Sequence, residues 1–286
     1  MRNKAIKVIL FALTGFGNTV LKALIENVNV HVAAVFTVKY ENPFPYYTET
    51  QLIDLCDELG VNCYYGVKVS SNEGMELLRQ LSPDLIIMAT FKEILKENVI
   101  RLPSLGVINF HPSLLPRYRG PCPTNTALLD GEKSTGISVH YVTDKLDEGN
   151  ILVKRTIPIE ETDYDGQLRQ KLAVLAGELV PEIIEMFSGK NRPSGIPQEH
   201  SLASYAPKPP IEDGYLEQSS DVEIIQRKMR AYNPLPGTSI LTQDKRIPVN
   251  RYALIQDTRS DGVYENDNTI DVIINSKGIR LYKKVI

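Results

Sequence analysis

Through the first half of the chain, apolar runs of strand length alternate with segments whose apolar positions recur at helical spacing. Ile6 to Leu13 is a continuous apolar run, and Val20, Leu21, Leu24 and Ile25 then fall on one face of a helix. Val30 to Val38 repeats the strand pattern, and Leu52, Ile53, Leu55, Cys56 and Leu59 mark a helix over Glu49 to Leu59. A short strand (Cys63 to Val67), a helix (Ser71 to Leu81) and a strand apolar on both faces (Asp84 to Thr90) follow. A helix over Lys92 to Ile100 and a strand over Gly106 to His111 extend the series. Such alternation predicts βαβ units with right-handed crossovers. The expected fold is a Rossmann-like α/β domain, a mostly parallel sheet with helices on both faces.

The pattern changes after Gly120. Thr124 to Leu129 reads as helical, and Thr135–Val142 and Ile151–Ile159 read as strands flanking a turn at Asp144–Gly149, an antiparallel extension of the sheet. A long helix over Asp165 to Phe187 carries Leu168, Leu172, Leu175, Leu179, Ile183 and Met186 as a core-packing stripe. Ser188 to Pro210 is rich in proline, glycine and polar residues and reads as a linker. A helix over Ser220 to Tyr232, capped by Ser219, Ser220 or Asp221, precedes four strand-like pieces: Ser239–Thr242, Ile247–Ile255, Thr269–Asn275 and Gly278–Lys283. Asn275 to Gly278 has hairpin-turn composition. The expected organisation is an α/β domain over residues 1–188, a linker over 189–210, and a small helix plus β-rich subdomain over 211–286.

Composition narrows the setting. A net charge of −3 over 286 residues gives no overall footprint for nucleic acid or an anionic membrane. Cys56, Cys63 and Cys122 have no CxxC spacing and cannot all pair, which fits a reduced, cytoplasmic protein. Met1 to Ile9 is too short and too charged for a signal-peptide core, and no apolar run reaches ~18 residues. There is no HxxxH, cysteine pair or carboxylate–histidine spacing that would hold a metal.

The candidate chemistry lies in Val107–Gly120 and Leu146–Asn150. A strand ending Asn109-Phe110-His111 delivers Asn109 and His111 to the same side at the carboxyl edge of the sheet, where open parallel sheets bind their ligands. Asp147 sits at a later turn that returns to that edge. Asn can donate to a developing oxyanion, His can shuttle a proton, and Asp can orient and charge the His, a set suited to acyl transfer. Thr14-Gly15-Phe16-Gly17-Asn18 offers Gly-x-Gly only. It reads equally as an amide-lined loop for an acceptor phosphate (Thr14, Gly15) and as a tight turn into the first helix. His140, between Val139 and Tyr141 on a strand, reads as structural.

Asn109-x-His111-Pro112-Ser113-Leu114-Leu115-Pro116, followed by Arg117-Tyr118-Arg119-Gly120 and Leu146-Asp147-Glu148-Gly149, resembles the signature of the folate-dependent formyltransferase superfamily. That superfamily includes methionyl-tRNA, sugar-N- and glycinamide ribonucleotide formyltransferases. The resemblance runs from Ile6 to about Phe187. It resumes at Arg227–Ala231 and Pro234–Gly237, as in the tRNA and sugar branches. It implies that residues 1–188 are the catalytic domain, N10-formyltetrahydrofolate the co-substrate without a metal, and a primary amine the acceptor. Asn109, His111 and Asp147 are then catalytic: Asn109 and a protonated His111 stabilise the oxyanion, and Asp147 raises the pKa of His111. The resemblance also places the pterin against Met88, Phe91, Ile94 and Leu95, under Thr143 and Asp144, with Ser113, Leu114, Leu115 and Pro116 as the wall beside the formyl group. Arg117, Tyr118 and Arg119 lie where an acceptor enters, and could bind phosphate, stack on a base, or be loop charges in solvent.

Two features bear on the acceptor. The tRNA enzymes usually carry a Gly/Arg/Lys-rich loop after the second strand, whereas Lys39–Tyr47 is aromatic and nearly uncharged, and Tyr46 and Tyr47 read equally as stacking groups for a base or sugar ring and as ordinary loop aromatics. Asp244, Asp257, Asp261, Glu265, Asp267 and Asp271 in the C-terminal stretch count against RNA, whose binding needs phosphate neutralisation. The favoured acceptor is therefore a nucleotide-linked amino sugar. Charged initiator tRNA comes second and another small amine third, with a folate-binding relative that transfers nothing as the contrasting class. Exposed edges of the small β-subdomain suggest a homodimer.

Overall fold

The computed structural model describes residues 5–40, 50–188, 192–217, 221–242 and 245–284. The α/β series opens with β1 (Ile6–Ala12), α1 (Phe16–Glu26), β2 (Val30–Thr37), α2 (Leu52–Leu59), β3 (Cys63–Tyr65) and α3 (Asn72–Leu81). It continues through β4 (Leu85–Ala89), α4 (Glu97–Ile100), β5 (Val107–His111), α5 (Pro123–Asp130), β6 (Ser134–Tyr141), β7 (Ile151–Pro158) and α6 (Asp165–Met186). The remainder holds β8 (Tyr215–Leu216), α7 (Val222–Tyr232), β9 (Thr238–Thr242), β10 (Lys245–Gln256), β11 (Gly262–Glu265), β12 (Thr269–Ile274) and β13 (Lys277–Lys283).

These elements form two compact units that interleave along the chain. The first comprises Met1–Gly120, Thr135–Ile157 and Arg169–Tyr205; the second comprises Pro121–Ser134, Pro158–Leu168 and Ala206–Ile286. The first unit is built on a seven-stranded sheet in the order β3-β2-β1-β4-β5-β6-β7. Pairs β1/β2, β1/β4, β2/β3 and β4/β5 are parallel, and β5/β6 is antiparallel. The mostly parallel α/β sheet expected from the hydrophobic pattern is therefore present. Ile9 and Phe11 of β1 face one side and pack with Phe36, Met88, Met75 and Leu78 of α3 and Val99 of α4. The alternate residues Val8 and Leu10 are buried on the opposite side. Helix α1 packs on β1, β2 and β4, and Thr19 Oγ1 donates to the Ala173 carbonyl of α6 at 2.6 Å.

In the second unit a six-stranded sheet, β11-β12-β13-β10-β9-β8, packs against α7. Val222, Ile225 and Met229 of that helix meet Ile240, Val249, Val272, Ile279 and Leu281. Asp221 caps α7 by accepting the Glu223 N–H at 2.9 Å; Ser219 and Ser220 lie outside the described residues. The hairpin read at Asn275–Gly278 closes through Asn275 and Ser276, both at positive φ, a geometry suited to a two-residue connection.

Three expectations differ. The helix over Lys92–Ile100 is one turn only, because the preceding segment runs extended: Leu95 is buried, while Glu93 Oε1 accepts the Val69 N–H at 3.1 Å. Strands β8 and β11 are too short, and β11 lies too near the sheet edge, to leave an alternating pattern. The proline-rich stretch after α6 is ordered against the first unit, with Ile196 bridging Ile151 and Tyr205 bridging Arg119. Among the described residues, no helix is long and apolar enough to cross a membrane.

The turn from β1 into α1 depends on close approach. A Cβ on Gly17 would lie 2.6 Å from Leu52 Cδ2 and 2.7 Å from Ala12 Cβ. Gly17→Ala should therefore destabilise the fold by about 1–3 kcal/mol through overpacking. A denaturant midpoint equal to wild type would show instead that the α1–α2 contact yields freely.

Candidate active site

The strand order reverses between β1 and β4, so a crevice opens at their carboxyl ends, beside the end of β5. Strand β5 delivers Asn109 and His111 there, and the antiparallel register with β6 sets Asn109 opposite His140 and His111 opposite Ser138. The loop between β6 and β7 returns Asp147 to the same point. All three residues predicted to act together are thus in contact, and His140 joins them.

Asp147 is the hub. Its Oδ2 accepts the Gly120 N–H at 2.9 Å and lies 3.6 Å from His111 Nδ1. Its Oδ1 lies 3.4 Å from His140 Nε2 and 3.5 Å from Asn109 Nδ2. Asn109 Nδ2 is also 3.3 Å from His140 Nε2. These Asn109 contacts are long, so its amide hydrogens are loosely held. Burial alone would push the Asp147 carboxyl upward. The His111 and His140 rings and the Gly120 N–H outweigh burial and hold it well below the usual carboxylate range.

His111 is 3% exposed, and its Nε2 is 2.8 Å from the Tyr118 carbonyl. A carbonyl only accepts, so Nε2 carries the hydrogen and Nδ1 faces Asp147. Burial lowers the His111 pKa; the Asp147 charge pulls the other way and does not prevail, and His140 adds to the lowering. The expected upward shift is therefore reversed by desolvation, and His111 is neutral near pH 7. A neutral ring with a bare Nδ1 beside a carboxylate can take up one proton and hold it against that carboxylate.

The loop carrying Asp147 is fixed from outside the catalytic strands. Asp147 itself is at positive φ, and a Cβ on Gly149 would overlap the Tyr141 carbonyl. Gln198 Nε2 donates to the carbonyls of Asp147 (2.7 Å) and Gly149 (2.9 Å). Gln198 Oε1 in turn accepts from Arg119 Nε and Nη2, at 3.2 and 2.8 Å. Arg119 also pairs with Glu148 at 3.1 Å and contacts His200 at 3.2 Å. Sequence reasoning gave no signal for Gln198, because it is one polar residue in a proline-rich stretch. His140 was visible as a residue, but its cross-strand partner was not.

The other predicted residues divide. Arg119, expected near an acceptor, is buried and turned inward to these partners. Tyr118 is buried and gives its carbonyl to His111, while Arg117 lies against its ring and donates to its hydroxyl at 2.7 Å. Ser113 Oγ donates to the Arg117 carbonyl at 2.8 Å. Ser138 Oγ donates to the Ser113 carbonyl (2.7 Å) and accepts the Leu115 N–H (3.0 Å), fixing the Ser113–Pro116 wall. Met88 and Leu95 are buried, Phe91 stacks on Phe11 at 5.1 Å, and Ile94 is 76% exposed. Thr143 Oγ1 accepts the Lys145 N–H at 3.3 Å, and Asp144 is exposed. In the Thr14–Asn18 turn, the Gly15 N–H goes to Asn18 Oδ1 (2.9 Å), and Thr14 Oγ1 accepts the Leu52 N–H (3.1 Å). Of the two groups that would meet a phosphate there, the Gly15 N–H is thus already engaged, while the Thr14 hydroxyl is used as an acceptor. Tyr46 and Tyr47 lie outside the described residues.

Comparison with known proteins bears on the family and the fold. The formyl transferase family model matches residues 5–184. The methionyl-tRNA formyltransferase of Syntrophus aciditrophicus (strain SB) is 39% identical over 175 residues, 61% of this chain and 56% of that protein. The chain thus spans little more than half of that relative. The methionyl-tRNA formyltransferase of Staphylococcus aureus (strain Newman) is 32% identical over 251 residues, 87% of this chain and 80% of that protein. The N-formyltransferase from Helicobacter canadensis, solved with folinic acid and dTDP-3-aminofucose, superposes with a TM-score of 0.72 over 98% of this chain and 100% of that one. At 17% identity, that likeness shows the fold.

The neutral, buried His111 has a consequence for stability. Its folded pKa lies below the ordinary value of about 6.5, so between the two the unfolded chain binds more protons. This contribution is complete above pH ~6.5 and is lost as pH falls toward the folded pKa. Urea midpoints at pH 7.5 and 5.5 should therefore fall further apart for wild type than for His111→Gln. Equal separations would mean that His111 is not held neutral.

Proposed function

The chain belongs to the formyl transferase family, and from that premise we propose that it is an N-formyltransferase using N10-formyltetrahydrofolate and a primary amine. The observation that carries this reading is the buried Asn109–His111–His140–Asp147 cluster at the carboxyl end of β5. When bound, the folate supplies a formyl carbon open to attack by an amine. The chain's residues meet the two charges that attack creates. Asn109, with loosely engaged amide hydrogens, donates to the oxygen as it becomes negative. The neutral His111, with Nδ1 beside Asp147, receives the amine's surplus proton, and the resulting imidazolium, held by the carboxylate, would return it to the leaving nitrogen N10 as the formyl C–N10 bond breaks. Tyr118 supports this by fixing the tautomer through its carbonyl.

The residues also fit the folate itself. Met88 near the end of β4 and Phe91, Ile94 and Leu95 beyond it form an apolar stretch, and the exposure of Ile94 leaves a large apolar side chain for a flat ring to cover. Thr143 and Asp144 are on the loop that carries Asp147, and Ser113–Pro116 complete the wall.

For the acceptor we favour a nucleotide-linked amino sugar. Support comes from the aromatic, nearly uncharged character of Lys39–Tyr47. The acidic character expected of the C-terminal stretch drops out of the case. Gly237–Ile286 carries eight Lys and Arg against six Asp and Glu, and Asp257, Asp271 and Glu265 are paired with Arg259, Arg280 and Lys283. Charged initiator tRNA is the second reading, favoured by the names of the sequence relatives.

Incubation with labelled formyl-folate and either a panel of nucleotide amino sugars or charged initiator tRNA separates the two readings. Label should pass to an amino sugar; transfer to the tRNA alone reverses the order. His111→Ala and Asp147→Ala should still bind folate while turnover falls ~10²–10³-fold. Near wild-type kcat in either variant removes that residue from the chemistry.

A further inference from the structure

Resting on the formyl-transfer reading, we propose that Gln198 is a positioning residue for that reaction. It acts through Asp147, by fixing the loop that sets this carboxylate beside His111, and Arg119 sets the direction of its amide. The loop needs such a restraint. Asp147 is at positive φ, a backbone region that residues other than glycine enter sparingly, and residues 143–146 before it are all exposed. The carboxylate has one close partner, the Gly120 N–H at 2.9 Å. Its separations from His140, Asn109 and His111 are 3.4, 3.5 and 3.6 Å, too long to hold the loop by themselves.

The backbone is held instead by a side chain 51 residues further on. Ile196 and Ile151 exchange backbone hydrogen bonds of 2.8 Å in each direction, which lays the segment before Gln198 beside the start of β7. Gln198 is buried, and both hydrogens of its amide go to the carbonyls that flank Glu148, those of Asp147 at 2.7 Å and Gly149 at 2.9 Å. One planar group thus fixes two peptide units of the loop at once.

That amide cannot turn over. Arg119 Nε and Nη2 only donate, and both meet Gln198 Oε1, at 3.2 and 2.8 Å; the loop carbonyls only accept. A flipped amide would set donor against donor and acceptor against acceptor in a buried place, where unmet polar groups are costly. Arg119 is itself buried, and its Nη1 pairs with Glu148, the residue between the two carbonyls, at 3.1 Å. The loop is therefore gripped by its backbone at Asp147 and Gly149 and by its side chain at Glu148.

Arg119 also lies between the two backbone groups that reach the catalytic pair. The Tyr118 carbonyl accepts from His111 Nε2, and the Gly120 N–H donates to Asp147 Oδ2. The side chain that orients Gln198 thus belongs to the same three residues that place both partners of the His111–Asp147 contact. Gln198 has two N–H bonds and two lone pairs, all of them engaged, so it has nothing left with which to bind a ligand. Its effect falls on the rate: misplacing a reacting group by about 1 Å costs up to ~10²-fold.

Gln198→Met and Gln198→Glu in the whole chain, assayed with the amine that wild type formylates, test this role. Met removes the donor at similar length, whereas Glu keeps its bonds to Arg119 and turns an acceptor toward the two carbonyls. Each should lower kcat by about 10- to 10²-fold with the folate KM within about threefold of wild type. In an Asp147→Asn background, where the carboxylate is already gone, the further loss should stay under about twofold. Histidine NMR supplies a readout that does not depend on turnover. Asp147 and His140 are the titratable groups facing the His111 ring, and the Asp147 charge raises its pKa. Gln198→Met should move the His111 titration in the same direction as Asp147→Asn does, and should move it no further in the double variant. An unchanged kcat, an equal loss in both backgrounds, a raised KM at unchanged kcat, or an unmoved His111 titration overturns the proposal. Urea midpoints check folding; if the Glu variant does not fold, the Met variant carries the test, and failure of both makes Gln198 a structural residue and overturns the proposal. If wild type formylates none of the amines, the formyl-transfer reading fails, and the His111 titration alone decides whether Gln198 holds Asp147 in place.

Discussion

Asp147 carries a charge that the surrounding protein largely shields from water, and most of the site is arranged around keeping it there. An ion moved out of water is stable only if its oxygens are satisfied and opposite charge is near. The Gly120 N–H and the Asn109 amide supply donors, and the His111 and His140 rings lie beside the carboxylate, from three separate parts of the chain. The same constraint explains why His111 is neutral. One buried carboxylate is not enough to hold a buried imidazolium permanently, but it is enough to receive one when chemistry delivers a proton.

The sheet supplies the geometry for this. Parallel strands β1, β4 and β5 bring their carboxyl ends into line, and the change of direction at β6 sets His140 beside Asn109. The β6–β7 loop leaves β6 beside Ile108, at the amino end of β5, and carries Asp147 back to Asn109 and His111.

The strands of the first unit were readable because they are apolar on both faces, and the Asn109/His111 pair because period two puts both on one side. Asp147 was found through its motif. What escaped was information held in contacts between distant segments. The spacing of Ile94, Leu95 and Val99 is helical, yet an extended segment buries Leu95 and exposes Ile94 just as well. His140 alternates like any strand residue, and nothing local reveals that Asn109 lies opposite. The direction of the His111 shift depends on how completely the ring is enclosed, a property of the packed site and not of its neighbours in sequence.

Gln198 gives the site a dependence on time. It lies 51 residues after Asp147, beyond the last residue of the family match at 184. During synthesis, strands β1 to β7 emerge before the side chain that fastens the Asp147 loop. Until residue 198 is made, the chain lacks the side chain that holds the Asp147 and Gly149 carbonyls, although the Gly120 N–H and the Asn109 amide that meet the Asp147 carboxylate are already present.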